Sequence, residues 1–468
     1  MINRLKRKYI GDREFYSRVI RLVVPMIVQN VITNLVSLLD NIMVGQIGTE
    51  QMSGVAIANQ LMFVFNITIF GAVSGPGIFG AQFYGKGDHE GQKYTFRFRL
   101  LLVAVITGIA MLIFHFADTQ LISLYLTDAG GSGDIAMALK YGKEYLAVMI
   151  FSLIPFAIGQ AYSSVVRECG ETVIPMIGSF SAVGINLILD YGLIFGKLGL
   201  PQMGVSGAAM ATVIAKTIEA LVVVVWAHVK TERNKYIIGL FSGFKIPAAL
   251  MKQMIIKGVP LMCNEFFWAA GMAVISQSYS YRGLEVVAAQ NIAGTMTNLF
   301  SVIYIQLGAS IAIVVGQALG AGRLEEAKDL DNKLIFFCVT ACMCVAVLML
   351  PIAKAFPFLY NTEDSIRALA TYFISIQACV MPLWSFAHCS YFTLRSGGKT
   401  WVTFLFDSVY TWVLMIPMVA LLTRLTDWPI KPIFTMVNFS DIVKVSIGYV
   451  LVKSNVWLNN IVDEKKDA

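Results

Sequence analysis

Apolar positions in this chain neither alternate nor keep to one face of a repeat. They run on. About twelve stretches reach the roughly 20 residues that a helix needs to cross a hydrocarbon layer, with short polar connections between them. The stretches near 52–81 and 334–353 are clear, whereas the last, near 433–452, is interrupted by Asp441 and Lys444. Backbone polar groups in lipid must be satisfied within their own segment, so such runs predict membrane-spanning helices rather than lone strands.

The composition agrees. Of 468 residues, 57% are hydrophobic and 14% charged, with a mean hydropathy of +0.69. A soluble protein carries about 25% charged residues, so one soluble core is excluded. The net charge of +7 raises the question of nucleic acid, but the placement of the charges argues against it. Basic residues gather in alternate connections: Arg4, Lys6, Arg7 and Lys8; Lys86, Lys93 and Arg97; Arg167; Lys230, Arg233 and Lys235; Arg323, Lys328 and Lys333; Arg395 and Lys399. Asp118, Asp128 and Asp134 dominate an intervening connection, although Lys140 and Lys143 follow. This positive-inside asymmetry predicts a multi-pass protein of the cell's inner (plasma) membrane, with both termini cytoplasmic and an even number of spans. Seven cysteines, an odd number, argue against a disulfide framework, and Cys342 and Cys344 read as packing residues. The basic tail runs into a long span with no small-residue cleavage site, so no cleaved signal is expected.

The chain repeats itself. At an offset of 235 residues, Val24-Pro25 falls on Val259-Pro260, Gly48 on Gly283, Ile57-Ala58 on Ile292-Ala293 and Tyr125 on Tyr360. "AQFYGKGDHEGQK" falls on "GQALGAGRLEEAK", matching Gln82, Gly85, Gly87, Glu90 and Lys93 with Gln317, Gly320, Gly322, Glu325 and Lys328. Later the offset shortens, and "RECGET" from Arg167 matches "RSGGKT" from Arg395. Two six-span halves follow, residues 1–228 and 253–468, joined by a polar cytoplasmic segment at 229–252. An even span count gives both halves the same orientation, a parallel repeat common among transporters with a binding site between repeats.

Polar residues inside the spans carry the candidate chemistry. In "NLVSLLDNIMVG", Asp40 interrupts an apolar run. On a helical wheel Gln29, Thr33, Ser37 and Asp40 share a narrow arc, flanked by Asn30, Asn34 and Asn41, about 140° in all. A lipid-facing helix cannot carry that arc, because a charge at the bilayer centre costs at least about 2.5–3.5 kcal/mol. Pro25 removes a backbone hydrogen bond from the same helix. In the fifth span Asn186 and Asp190 are one turn apart, and Thr212 follows in the sixth, beside the small residues Gly204, Gly207, Ala208 and Ala211. Oxygen donors of this kind suit a hard cation or a protonated carboxylate. The second half is unequal: the positions matching Asp40 and Asp190 are Ile275 and roughly Met418, and its clear acid is Glu265, with Asp407 of unassigned depth. Trp268, Tyr279, Tyr304, Trp384, Phe386 and His388 are candidates to line a cavity for an aromatic cation. "SGGKT" lacks both the first glycine and the preceding strand of a phosphate loop. No soluble domain is long enough for an ATPase, no zinc-protease or Ser–His pattern occurs, and His89 and His228 read as loop residues. The chain is expected not to be an enzyme.

Three passages, "PMIVQNVITNLVSLLDNIMVGQIGTEQMSGVAIANQ", "NLILDYGLIFGKLGLPQMGVSGAAMAT" and "GQALGAGRLEEAK", resemble the multidrug and toxic compound extrusion (MATE) family, in its prokaryotic form. The resemblance covers nearly the whole chain. It implies an all-α integral membrane protein of twelve spans in two parallel six-helix lobes, V-shaped around a central cavity. It also implies efflux of organic cations or drugs in exchange for H+ or Na+, with no other cofactor. Carried over by motif, the cation-coupling residues, and the site for Na+ if that is the ion, are Asp40, Asn186, Asp190 and Thr212. Glu265, Gln29, Asn34, Ser37, Trp268, Tyr304 and His388 are candidates for the substrate cavity. Sodium-coupled members also carry acids on the seventh, eighth and tenth spans. Glu265 matches the seventh, but no acid stands in 287–315 or 368–390, so a second-lobe sodium site is not expected. A lipid-linked oligosaccharide flippase of the same wider superfamily is the alternative, and a channel ranks below it. The expected partners are small organic cations and the bilayer, with no nucleic acid, for a monomeric protein.

Overall fold

The structure, a computed structural model, describes residues 8–125, 135–243 and 245–463. Arg4, Lys6 and Arg7 of the basic tail, and Asp128 and Asp134 of the acidic connection, lie outside the described residues. Among the described residues all regular structure is helical. Twelve helical segments are long and apolar enough to cross a membrane: α1 Arg13–Gly45, α2 Thr49–Lys86, α3 His89–Phe116, α4 Ile135–Glu168, α5 Val173–Phe195, α6 Gly204–Val229, α7 Ala248–Ser280, α8 Leu284–Gly320, α9 Leu324–Leu359, α10 Asp364–Ser396, α11 Thr400–Leu425 and α12 Ile430–Lys453. His89 and His228, expected in loops, are instead helical. His89 opens α3, and His228 sits in the last turn of α6 with its ring 3.3 Å from the Tyr162 hydroxyl.

The weak twelfth span has a physical explanation. Its helix breaks at Ser440 into Ile430–Phe439 and Asp441–Lys453, and both interrupting charges have partners. Trp384 Nε1 donates to Asp441 Oδ2 at 2.8 Å, and Lys444 Nζ donates to Asp407 Oδ1 at 2.5 Å. Paired in this way, they lower the mean hydropathy without leaving a bare charge in lipid. Asp407 itself lies in a π-helical turn, Leu405–Val409, and a second such turn follows at Thr411–Met415.

The chain divides into two compact units. One holds Val24–Gly80 and His89–Lys252; the other holds the residues through Val23, Ala81–Asp88, and those from Gln253 on. The division within α1 falls beside Pro25. In the first unit, Arg97 is buried and clamps the polar connecting segment. Its Nε donates to Leu240 O at 2.8 Å, its Nη1 to Lys245 O at 3.1 Å and its Nη2 to Gly239 O at 2.7 Å. Arg99 and Glu168 form a buried ion pair at 2.9 Å that rests against Gly77 and Gly80 of α2.

In the second unit the repeat becomes a contact. A Cβ on Gly85 would fall on the backbone carbonyl of Gln317, and one on Gly320 would fall on that of Gln82. Gly85 and Gly320, like Gln82 and Gln317, are repeat equivalents, so α2 and α8 cross reciprocally with backbones touching. The C-terminal segment then closes over the crossing. Gln82 Nε2 donates to Ser396 O at 2.9 Å and Asn459 O at 3.2 Å, while its Oε1 accepts from Ile461 N at 2.9 Å. Lys86 pairs with Asp463, and a Cβ on Gly397 would strike the Trp457 carbonyl. Trp457 is buried, with its Nε1 donating to Val452 O at 3.0 Å.

Two stability predictions follow from these contacts. Gly85→Ala or Gly320→Ala forces backbone apart from backbone, and each is expected to cost about 1–3 kcal/mol. Gly184→Ala, with open space at its Cβ, should be neutral or slightly stabilising. Trp457→Ala is expected to cost about 3–5 kcal/mol. Thermal melts of detergent-solubilised protein, read by fluorescence-detected size exclusion, check all four; a Gly85→Ala melt equal to that of Gly184→Ala contradicts the crossing.

Candidate functional site

The first unit gathers polar residues of five helices. Small residues allow it: a Cβ on Gly207 of α6 would come within 2.7 Å of Leu193 O on α5, so these two helices run in close contact. Asp190 and Asn186 are buried at 1% and 4% exposure and stand one turn apart on α5. Asp40 of α1 reaches the same place, and its carboxyl lies within hydrogen-bond reach of that of Asp190. Thr212 of α6 donates to Ala208 O at 3.1 Å and stands beside the hydroxyl of Tyr145 from α4, which donates to Asn59 Oδ1 of α2 at 3.2 Å. The structure therefore brings Asp40, Asn186, Asp190 and Thr212 into one neighbourhood. It adds Tyr145 and Asn59, whose hydroxyl and carboxamide the apolar runs around them conceal.

The chemistry of this group is set by what its atoms lack. Asp40 Oδ1, both carboxyl oxygens of Asp190 and Asn186 Nδ2 are buried atoms without a partner among the described residues. Two carboxyls in contact attract only if one carries a proton or a cation lies between them; two anions repel. Buried oxygens without donors are costly. The arrangement fits a proton or a small hard cation. Among the described residues no three His, Cys, Asp or Glu side chains gather as a metal cluster, so a divalent ion has no such cage.

The other candidates are scattered more widely. Gln29 is tied down, accepting from Arg167 Nη2 at 2.8 Å and donating to Ser179 Oγ at 2.7 Å. Asn34 and Ser37 are exposed, and Ser37 Oγ donates within its own helix, to Thr33 O at 3.1 Å. In the second unit Glu265 accepts from the Tyr391 hydroxyl at 3.1 Å. Tyr304 and His388 are brought together, ring centroids 4.9 Å apart, whereas Trp268 is exposed. Trp384 uses its N–H for Asp441, Tyr279 packs on Phe434 at 5.6 Å, and Phe386 is half-buried. Asp407, whose depth the sequence left open, is held by Lys444 and by Asn264 Nδ2 at 2.9 Å; Asn264 Oδ1 in turn accepts from Ser408 Oγ at 2.7 Å.

Lys216 and Glu219 of α6 are charged and escaped the sequence reading. Lys216 Nζ donates to Glu219 Oε2 at 2.9 Å, and the other carboxylate oxygen accepts from Ser179 Oγ. The available signal was their spacing from Thr212, four and seven residues on the same helical face.

Comparison with known proteins places this geometry. A family model described as MatE matches residues 25–192 and again 260–421, starting 235 residues apart, the offset at which the sequence repeats. A probable multidrug resistance protein NorM of Thermotoga maritima is 25% identical over 348 residues, covering 73% of this chain and 72% of the relative. A probable multidrug resistance protein NorM of Haemophilus ducreyi is 23% identical over 419 residues, 89% of this chain and 88% of the relative. Among solved structures, an outward-facing multidrug resistance MATE family transporter of the MOP superfamily superposes with a TM-score of 0.83 at 18% identity, over 95% of this chain and 96% of the other. A mutant of the Vibrio cholerae MATE transporter VcmN gives 0.82 at 17% identity, over 96% and 98%. With both halves matched by the family model and the fold shared with its solved members, the chain belongs to the MatE family, the multidrug and toxic compound extrusion transporters.

Proposed function

We propose that this protein is a secondary active exporter that moves organic cations or drugs across the plasma membrane by alternating access, in exchange for H+ or Na+. Both termini then face the cytoplasm, and the protein acts as a monomer and not as an enzyme. The observation that carries the reading is the facing pair Asp40 and Asp190, three of whose four oxygens are buried atoms with no donor among the described residues. Such a pair takes up a mobile positive charge. Asn186 and Thr212 supply neutral oxygens beside it, and Tyr145 closes it on the α4 side. The NorM relatives, named as probable multidrug resistance proteins, support drugs as the substrate class. A flippase of lipid-linked diphosphates would want free cations at membrane depth. Here Arg99, Lys216 and Lys444 each sit on an acid.

Asp40→Asn is expected to abolish gradient-driven export while leaving the protein folded, and Asp190→Asn to do the same, since both carboxylates belong to one proposed site. Dye efflux in inverted vesicles, with the H+ and Na+ gradients imposed separately, measures this. Undiminished export by well-expressed Asp40→Asn protein rules the coupling role out. Among the described residues Glu265 has one hydrogen-bond donor, Tyr391, and it is assigned to substrate recognition. Glu265→Gln should weaken binding of a cationic dye by about tenfold, the loss of one charge-assisted contact of roughly 1.5 kcal/mol, and leave a neutral dye unaffected. Equal losses for the two dyes would contradict it.

A further inference from the structure

Lys216 and Glu219 belong to a longer polar chain that the coupling site alone does not require. Beginning at α6, Lys216 Nζ is held by Glu219 Oε2 at 2.9 Å and lies 5.8 Å from the ring centroid of Phe156. The other Glu219 oxygen accepts from Ser179 Oγ, Ser179 accepts from Gln29 Nε2 at 2.7 Å, and Gln29 Oε1 accepts from Arg167 Nη2 at 2.8 Å. The chain thus links α6, α5, α1 and the last turn of α4. At its other end Lys216 stands one turn along α6 from Thr212, on the helical face that joins the Asp40–Asp190 neighbourhood, so that its charge acts on Asp40; the Arg167 charge acts on Glu219.

The charges in this network do not balance. Asp40, Asp190 and Glu219 are three acids, and Lys216 and Arg167 are two fixed cations. One negative charge is left over; Asp190 is buried at 1% while the other four are half-buried, and charge held at that buried end is costly unless it is neutralised. Lys216 is the cation that can be shared. Its ammonium is a compact point charge on a flexible four-carbon stem, and it stands on α6 between Thr212, in the neighbourhood of the aspartate pair, and Glu219, which holds it. Arg167, by contrast, is fastened to Gln29.

We propose that Lys216 is a tethered counter-ion shared between Glu219 and the Asp40–Asp190 pair, competing with the mobile coupling cation. With the pair neutralised, Lys216 rests on Glu219. When the mobile cation leaves, Lys216 turns toward Asp40 and its hold on Glu219 loosens. Glu219 then keeps only Ser179 and the field of Arg167, so cation occupancy is passed to Gln29 on α1 and to the end of α4. Lys216 and Glu219 are positioning residues: they set how tightly the pair holds its cation without touching the transported drug. This rests on the coupling role proposed above for Asp40 and Asp190.

The test uses full-length protein in proteoliposomes. It measures the concentration of the driving cation, H+ or Na+, that gives half-maximal dye export, with dye affinity measured alongside. Lys216→Met removes the competitor, so the half-saturating concentration should fall at least about fivefold, the lower end of typical site-to-site coupling. Glu219→Gln frees Lys216 onto the aspartate pair, so the same quantity should rise by a similar factor. The double variant should behave as Lys216→Met does, and Lys216→Arg should restore the direction of the wild type. Opposite shifts from two neighbouring residues are not what a loss of packing produces. Shifts of the same sign, or none in folded protein, overturn the proposal. Asp40→Asn separates the two levels. If it still exports under a gradient, the coupling role fails and this proposal with it. If it is inactive while Lys216→Met and Glu219→Gln leave half-saturation unchanged, only the tethered counter-ion is wrong.

Discussion

Gly85 and Gly320 let α2 and α8 meet with nothing but backbone between them, and much of the second unit is organised by that contact. Because the residues are repeat equivalents, each glycine meets the carbonyl of the other helix's glutamine. A duplicated sequence makes such a contact twice for one invention, as a two-fold interface does between identical subunits. The crossing also fixes the two glutamines. Gln317 accepts from Arg18 Nη2 at 3.2 Å, holding the start of α1, and Gln82 holds the C-terminal segment through its whole carboxamide. Lengthening either glycine by one methyl group would therefore disturb three chain segments at once.

Hydropathy and repeat were enough to read the spans and their duplication, because both depend on local composition and on residues at fixed separation. Asp40, Asn186 and Asp190 stood out for a related reason, a carboxylate or carboxamide in an apolar run, whereas Thr212 joined them only through the family motif. What could not be read depends on partners distant in sequence. Lys444 looked like a defect in the twelfth span until its contact with Asp407 was known, and Arg97 looked like a topological charge although it is spent on three carbonyls of the connecting segment. Trp457 follows the last span in a stretch without periodicity, yet it is among the largest fully buried side chains. Lys216 and Glu219 vanish in any long hydropathy window. Only the question of what they face could have recovered them.

Membrane proteins handle intramembrane charge in two ways, and this chain uses both. Among the described residues of the second unit, the buried acids have donors from the protein, Asp441 from Trp384 and Asp331 from Thr393 at 2.6 Å, and so do the half-buried ones, Asp407 from Lys444 and Asn264, and Glu265 from Tyr391. Such groups fix helices in register, and they gain little by exchanging partners. In the first unit, Glu168 is satisfied in the same way by Arg99.

Asp190 is the exception, since among the described residues neither of its oxygens has a donor, and Asp40 lacks one at Oδ1. The repeat explains why this is not mirrored: Ile275, buried at 4%, stands where Asp40 would recur, so the second half has filled that position with hydrocarbon. An acid that the fold leaves unsatisfied costs stability unless something outside the fold supplies the missing positive charge. Its retention beside a carboxamide, a hydroxyl and a lysine that already has another acid to hold is hard to account for as packing. On the reading proposed here the cost has a use. The site's free energy changes when a cation arrives or leaves, and by linkage whatever shape of the first unit binds that cation better is the shape the gradient selects.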